Sequence, residues 1–264
     1  MGQIMSMAGE PDTAREEKEY VMGLEKGLAV VEAFGIARGP LTLSQAAEIT
    51  GHTKAAVRRS LLTLCKLGYA TQDGRQFRLA PRSLRLGHAY VASDPLTKVA
   101  QPILEMTSER TKESASIAVL DAQDSVFVAR STHRRSLSSG LGIGVRLPAY
   151  ASATGRVLLA EQPVAQVEFM LNRMSRPALT PRTRTGMREI LREIALVRTR
   201  GYAISDEELE LGLRSVAVPI RNGRGELVAA MSLSVATSRM TRDQLVDKLV
   251  PELDAARRTF AALL

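Results

Sequence analysis

Lys54 and Arg58 stand four residues apart with Arg59 beside them, and no acidic residue occurs from position 49 to 72. On a helix, positions i and i+4 share a face, so these cations project from one side, opposite an apolar stripe of Val57, Leu61 and Leu64. Arg can bridge the two major-groove acceptors of guanine while neighbouring cations neutralise phosphates, which is the chemistry of a recognition helix. Thr53 and Ser60 add hydroxyls suited to phosphate, and Arg75 and Arg78 further on could reach flanking backbone. A basic run alone more often marks a solvated surface, so the surrounding elements must decide.

A second group consists of hydroxyls. Period-two alternation over 226–235 puts Ala230, Ser232 and Ser234 on one strand face and Met231, Leu233 and Val235 on the other. Ser215 joins them if the run 214–221 forms the neighbouring strand. Hydroxyls on a buried face need partners, which nearby backbone or a bound polar ligand can supply, and the residues leave both readings open. Upstream, Ser152 or Thr154 can cap a helix beginning near Gly155, whose free N–H groups and positive dipole end suit a carboxylate. Arg130 and His133 are candidate counter-charges, though Arg130 to Arg135 reads equally as a solvated strand end. Asp206, Glu207 and Glu208 read as solvated carboxylates that would repel an acid.

Catalytic chemistry finds little support. There is no G-x-S-x-G and no plausible Cys/His pair, and the single cysteine, Cys65, lies within the basic helix. One Cys and three scattered histidines (His52, His88, His133) supply neither a disulfide nor a Cys/His zinc site. Gly140 to Gly144 misses the G-x-G-x-x-G spacing and lacks a P-loop lysine, and reads as a loop over the pocket. The expectation is therefore no enzyme, no catalytic residue, no cofactor and no metal. With no apolar run near the roughly 20 residues that span a bilayer and a polar, acidic start, the chain reads as cytoplasmic.

The elements that position these groups follow from caps and breakers. A helix over 22–37 places Leu24, Leu28, Val31, Ala33 and Phe34 at helical spacing. Thr42-Leu43-Ser44-Gln45 has the capping-box form and starts a second helix ending at Gly51, and Thr53 caps a third that stops at Gly68. Two short helices joined by Gly51-His52, followed by β-rich runs around an Asp73-Gly74 turn, make a winged helix-turn-helix. Helical stretches at 82–93 and 95–112 follow. Strand-like runs at 114–121, 125–132, 214–221 and 226–235, with helical stretches at 153–173, 186–200 and 241–264, indicate an α+β domain with a largely antiparallel sheet. The chain's 264 residues suffice for two such domains. Its net charge of +8 divides into −3 over 1–19, +6 over 20–92 and +5 over the longer remainder. The expected organisation is a disordered acidic lead-in (1–19), a DNA-binding domain (20–81), a linker helix (82–94) and an effector-binding and oligomerisation domain (95–264).

VMGLEKGLAVVEAFG, LTLSQAAEITGHTKAAVRRSLLTLCKLGYA and DGRQFRLAP resemble the N-terminal domain of IclR-type bacterial transcription regulators. GIGVRLPAYASATGRVLLA, GYAISDEELELGLRSVAVPI and AAMSLSVATSR resemble the effector-binding domain of that family. The opening KEYVMGLEKGLAV looks most like the group regulating protocatechuate and para-hydroxybenzoate breakdown, the β-ketoadipate pathway. The resemblance implies a winged helix-turn-helix, a linker helix and a GAF-like effector domain, with a homodimer or homotetramer on a palindromic operator in double-stranded DNA. Its implied effector contacts map onto Ser139, Leu147, Ala153, Thr154, Gly155, Ser205, Leu213, Ser215, Ser232 and Ser234. DNA contacts are expected from Thr42, Ser44, Thr53, Lys54, Arg58, Arg59, Arg75 and Arg78. Serines at Ser136, Ser139 and Ser215, where members recognising small keto acids carry bulkier or thiol groups, favour a larger aromatic or dicarboxylic acid such as protocatechuate, para-hydroxybenzoate or β-ketoadipate. Two alternatives stay open: a C-terminal domain that only oligomerises, or an unrelated small acid as effector.

Overall fold

In a computed structural model, residues 20–133 and 142–264 are described, so the expected lead-in at 1–19 and both Ser136 and Ser139 lie outside the described residues. The chain divides into two compact units, one ending at His88 and the other beginning at Ala89.

In the first unit, α1 (Met22–Ala37) passes through Gly35 and stops where Arg38 takes a left-handed backbone, φ +53°. Its core face is Val30, Ala33 and Phe34. Leu24 and Leu28, which share the helical apolar spacing, are 62% and 48% exposed. They lie one position further round the helix, where a 100° step carries them off the buried face. After β1 (Leu41–Thr42), Thr42 Oγ1 accepts from the Gln45 amide (3.3 Å) and Gln45 Oε1 accepts from the Thr42 amide (2.9 Å), closing the expected capping box on α2 (Leu43–Thr50). Gly51 turns the chain at φ +68°, and Thr53 caps α3 (Lys54–Lys66) by accepting from the Ala56 amide (3.3 Å). Val30, Phe34, Leu41, Ala46, Val57, Leu61 and Phe77 form one apolar cluster. The wing, β2 (Ala70–Asp73) and β3 (Gln76–Leu79), pairs Asp73 with Gln76, so its turn is Gly74-Arg75 rather than Asp73-Gly74. Only Gly74 has positive φ, the glycine-first hairpin geometry, and the one-residue slip puts Arg75 at the tip. The first unit is thus a winged helix-turn-helix with sheet order β1-β3-β2.

A 3-10 turn (Pro81–Ser83) leads into α4 (Leu84–Ser93), which buries none of its residues, and Asp94 caps α5 (Pro95–Thr111). The second unit is one antiparallel sheet of β4 (Ser114–Asp121), β5 (Asp124–Ser131), β6 (Arg146–Pro148), β7 (Ala203–Asp206), β8 (Leu213–Arg221) and β9 (Leu227–Ala236), in the order β6-β5-β4-β9-β8-β7. Between β6 and β7 come α6 (Ala153–Ala160), α7 (Val164–Arg173) and α8 (Met187–Arg200), and α9 (Arg242–Leu263) ends the chain. The helical stretch expected over 153–173 breaks between α6 and α7, where Pro163 lacks the N–H that would continue it. Ile117, Val216, Leu233 and Val235 face α5 and α9, whereas Ala203, Ala217 and Ala230 face α6 and α8. No helix among the described residues is long and apolar enough to cross a membrane.

Candidate functional site

Lys54, Arg58 and Arg59 are exposed along α3, Ser44 is exposed on α2, and Arg75 and Arg78 are exposed on the wing, with Phe77 between them pointing into the core. Among the described residues none of these five cations forms an ion pair. The two cap threonines differ. Thr42 donates its hydroxyl to Gln45 Oε1 (2.9 Å), so its proton is engaged, whereas Thr53 only accepts and keeps a donor at the start of α3. A helix with a free N-terminal hydroxyl, three unpaired cations and a basic wing can grip a polyanion and read base edges.

In the second unit the serines form rows across strands. Ser114 pairs with Ser234, Ser234 with Ser215, and Ser215 with Ser205, one row over β4, β9, β8 and β7. The next row runs from Arg130 on β5 through Ser116 and Ser232 to Ala217. Paired residues point to the same face about 5 Å apart. Both rows share the face of Ala217 and Ala230, toward α6. Leu213 begins β8 on this face, and Leu147 pairs with Ser125, whose Oγ donates to Thr154 on α6 (2.6 Å).

A β-bulge builds the charged end of this face. The β4–β5 register shifts between Ile117 and Ala118, so β5 gains an extra residue and both Phe127 and Arg130 reach one side. Arg130, read in the sequence as a possible solvated strand end, is 8% exposed. Its guanidinium lies 5.5 Å from the Phe127 ring centre and donates to Ser116 Oγ (3.1 Å) and Thr132 Oγ1 (3.2 Å). Burial pulls its pKa below the usual guanidinium range. Strict alternation would have set Arg130 and Phe127 on opposite faces, and no residue in the run signals the bulge.

The expected effector residues separate by what they already do. Ser205 donates to Ala151 O (2.8 Å) and Thr154 accepts from Ser125, so both hold the chain together. Ser215, Ser232 and Ser234 make no side-chain hydrogen bond among the described residues. The α6 cap is Ser152, whose Oγ accepts from the Gly155 amide (3.1 Å), and the helix begins at Ala153 rather than near Gly155. Gly155 serves packing, since a Cβ there would fall 2.5 Å from Ala149 O and from Ser152 Oγ. Only the Ala153 and Thr154 amides of the first turn remain for an anion.

The carboxylates read as solvated are all paired. Glu208 is fully buried, with Oε1 and Oε2 each 2.6 Å from Arg156 and Oε1 also 2.6 Å from Arg184. Asp206 meets Arg214 at 2.7 Å and Glu207 meets Arg182 at 2.7 Å. Their arginines lie 8 to 52 residues away, farther than a local pattern spans, so spacing gave no sign of them. At the end of the serine row, His133 N donates to Ser114 Oγ (3.3 Å), and buried Glu113 sits 3.1 Å from Arg239, its carboxyl pushed up to about 7 by desolvation.

Comparison with known proteins gives matches over most of the chain. The model for the IclR helix-turn-helix domain matches residues 23–74, and that for the bacterial transcriptional regulator IclR C-terminal domain matches 88–261. The Pca regulon regulatory protein of Pseudomonas putida is 41% identical, covering 97% of this chain and 86% of its own length. The p-hydroxybenzoate hydroxylase transcriptional activator of Acinetobacter baylyi is 40% identical over 89% of each. The crystal structure of an IclR homolog from Microbacterium hydrocarbonoxydans, complexed with 4-hydroxybenzoate, superposes with a TM-score of 0.75 at 25% identity, covering 92% of this chain and 98% of that one.

Proposed function

Because this chain belongs to the IclR family of bacterial transcriptional regulators, we propose that a small aromatic or dicarboxylic acid, held on the serine rows of the second unit, controls its binding to operator DNA. The observation carrying this reading is the row Ser114, Ser234, Ser215 and Ser205 on the face toward α6. Donor hydroxyls on a face otherwise lined with alanine match an acid with an apolar body. The carboxylate lies toward the free Ala153 and Thr154 amides at the start of α6, and the distal hydroxyl or second carboxylate reaches across the serine rows. Leu147 and Leu213 border the apolar body. The named ligand of the Microbacterium homolog and the named roles of the Pseudomonas and Acinetobacter relatives support this class of effector.

The operator surface in this reading is α3 with the wing: Lys54, Arg58 and Arg59 in the groove, and Ser44, Thr53, Arg75 and Arg78 on backbone, with Thr42 acting chiefly as a cap. Residues 20–81 bind DNA, 82–94 connect, and 95–264 bind effector and oligomerise. A homodimer or higher oligomer on a palindromic site is supported by exposed Leu24, Leu28, Leu67 and Leu86, which border an apolar groove of about 640 Å³ between α1 and α3. Calorimetric titration of the full chain with 4-hydroxybenzoate, protocatechuate and β-ketoadipate, followed by operator binding with and without the acid bound, tests the reading. Saturable binding of at least one acid with a change in operator affinity is expected. No heat from any of them would favour a C-terminal unit that only oligomerises or answers an unrelated acid.

A further inference from the structure

Arg156 is the largest fully buried side chain of the molecule's described residues, and all three of its guanidinium nitrogens donate hydrogen bonds. Nε donates to Tyr150 O (3.0 Å), one terminal nitrogen donates to Ile204 O (3.2 Å) and Glu208 Oε1 (2.6 Å), and the other to Glu208 Oε2 (2.6 Å). Tyr150 belongs to the turn that delivers the Ala153 and Thr154 amides to the candidate site. Ile204 precedes Ser205, whose hydroxyl donates to Ala151 O in that same turn. One side chain therefore clamps two backbone segments that form a wall of the serine face. The wall has no slack, because Gly155 already lies against the Ala149 backbone too closely to carry a Cβ.

Glu208 extends the clamp outward. It accepts from the Arg184 backbone amide (3.1 Å) and side chain (2.6 Å), and its own carbonyl accepts from Thr183 Oγ1 (2.6 Å). Burying the Arg156–Glu208 pair, with half-exposed Arg184 at its rim, is expensive, and replacing a buried ion pair by apolar side chains of similar volume is often neutral or stabilising. Stability alone is thus a poor reason for this arrangement, whereas holding two carbonyls while gripping a carboxylate with both terminal nitrogens suits the planar five-donor fork of a guanidinium and not an ammonium.

We infer that Arg156, held by Glu208, is a positioning residue for effector recognition, setting the Tyr150–Thr154 wall against the serine rows. The inference rests on the effector reading above. Its test compares the parent full chain with the Arg156→Met/Glu208→Met double variant, which removes both charges while keeping volume. The readouts are the denaturation midpoint, the operator affinity without acid, and the calorimetric Kd for 4-hydroxybenzoate and 3-hydroxybenzoate. The expected result is a folded variant with a lowered midpoint, because Tyr150 O, Ile204 O and Arg184 lose partners, with parental operator affinity, 4-hydroxybenzoate bound at least tenfold more weakly and the discrimination between the two isomers narrowed. A purely structural pair would leave that discrimination untouched, so a folded double variant with parental Kd and isomer preference overturns the inference. Should the double variant fail to fold, Arg156→Lys keeps the charge but cannot reach all the acceptors, and it must show the same narrowed preference; a parental preference there overturns the inference equally. If the parent binds neither isomer, the effector reading itself falls for these acids and the inference falls with it, which separates the two failures.

Discussion

Replacing Ser215 and Ser234 together by leucine is the sharpest test of the serine face. The two residues are direct partners across β8 and β9, so their side chains stand about 5 Å apart on one face. Neither hydroxyl makes a side-chain hydrogen bond among the described residues, and removing both therefore orphans no described donor or acceptor. The fold should hold, with a denaturation midpoint close to the parent's. For a bound acid the arithmetic differs. Two neutral hydrogen bonds at about 0.5 to 1.5 kcal/mol each amount to about 1 to 3 kcal/mol, and two leucine side chains occupy the space the acid would fill. The combined loss is about 3 kcal/mol or more, which exceeds a hundredfold in Kd. Isothermal calorimetry with 4-hydroxybenzoate on the parent and the double variant measures it, with operator affinity in the absence of acid as the control. Equal affinity of the two proteins for the acid would refute the serine-face assignment.

Arg58→Ala should weaken operator binding by about 1 to 3 kcal/mol if Arg58 reads a base and by less if it touches phosphate, and matched-salt titrations with unchanged affinity would remove α3 from the interface. Light scattering on dilute full-length protein should give at least a dimer mass; a monomer with undiminished operator affinity contradicts the palindromic arrangement. Glu113 titrates at about 7 in the fold against an ordinary 4.5, so the folded chain holds the proton more tightly than the unfolded one. Its favourable contribution is complete below about pH 4.5 and is lost as pH rises through 7. Unfolding titrations of the parent and Glu113→Gln across that window should therefore diverge, and parallel profiles would sink the argument.

Local signals carried the first unit well. Thr42 with Gln45, Thr53, Gly51 and Gly68 are caps and breakers whose physics acts within four residues, and each does in the structure what its type implies. The same holds for β9, where strict alternation separates Ser232 and Ser234 from Leu233 and Val235. Three features escaped because they depend on pairing rather than on pattern. The wing turn moved by one residue because register, not the Asp-Gly pair, chose the loop. Arg130 turned inward because of a bulge that has no mark in its own strand. Glu208 is buried because Arg156, 52 residues earlier, meets it. In α1, two apolar stripes run along the helix, and periodicity alone cannot say that Val30, Ala33 and Phe34 find the core while Leu24 and Leu28 stay exposed.

The charge distribution gains meaning once pairing is known. By sequence the segment 20–92 carries +6 and the longer segment 93–264 carries +5, a modest asymmetry. In the structure, no ion pair among the described residues involves the first unit, while Arg146, Arg156, Arg184, Arg214, Arg221 and Arg239 of the second unit all meet carboxylates. Unpaired cations release counterions when they meet a polyanion, so the first unit should give DNA binding its steep salt dependence. Paired arginines contribute little to that field, and the acids they neutralise cannot repel a small anion. The second unit is thereby left with a face lined by alanines and by the hydroxyls of Ser215, Ser232 and Ser234, which make no side-chain hydrogen bond among the described residues. Such a surface attracts an organic acid through short-range hydrogen bonds, which salt screens weakly. Raising ionic strength from about 50 to 200 mM, a span over which several released counterions change affinity by orders of magnitude, should therefore weaken operator binding strongly and acid binding little.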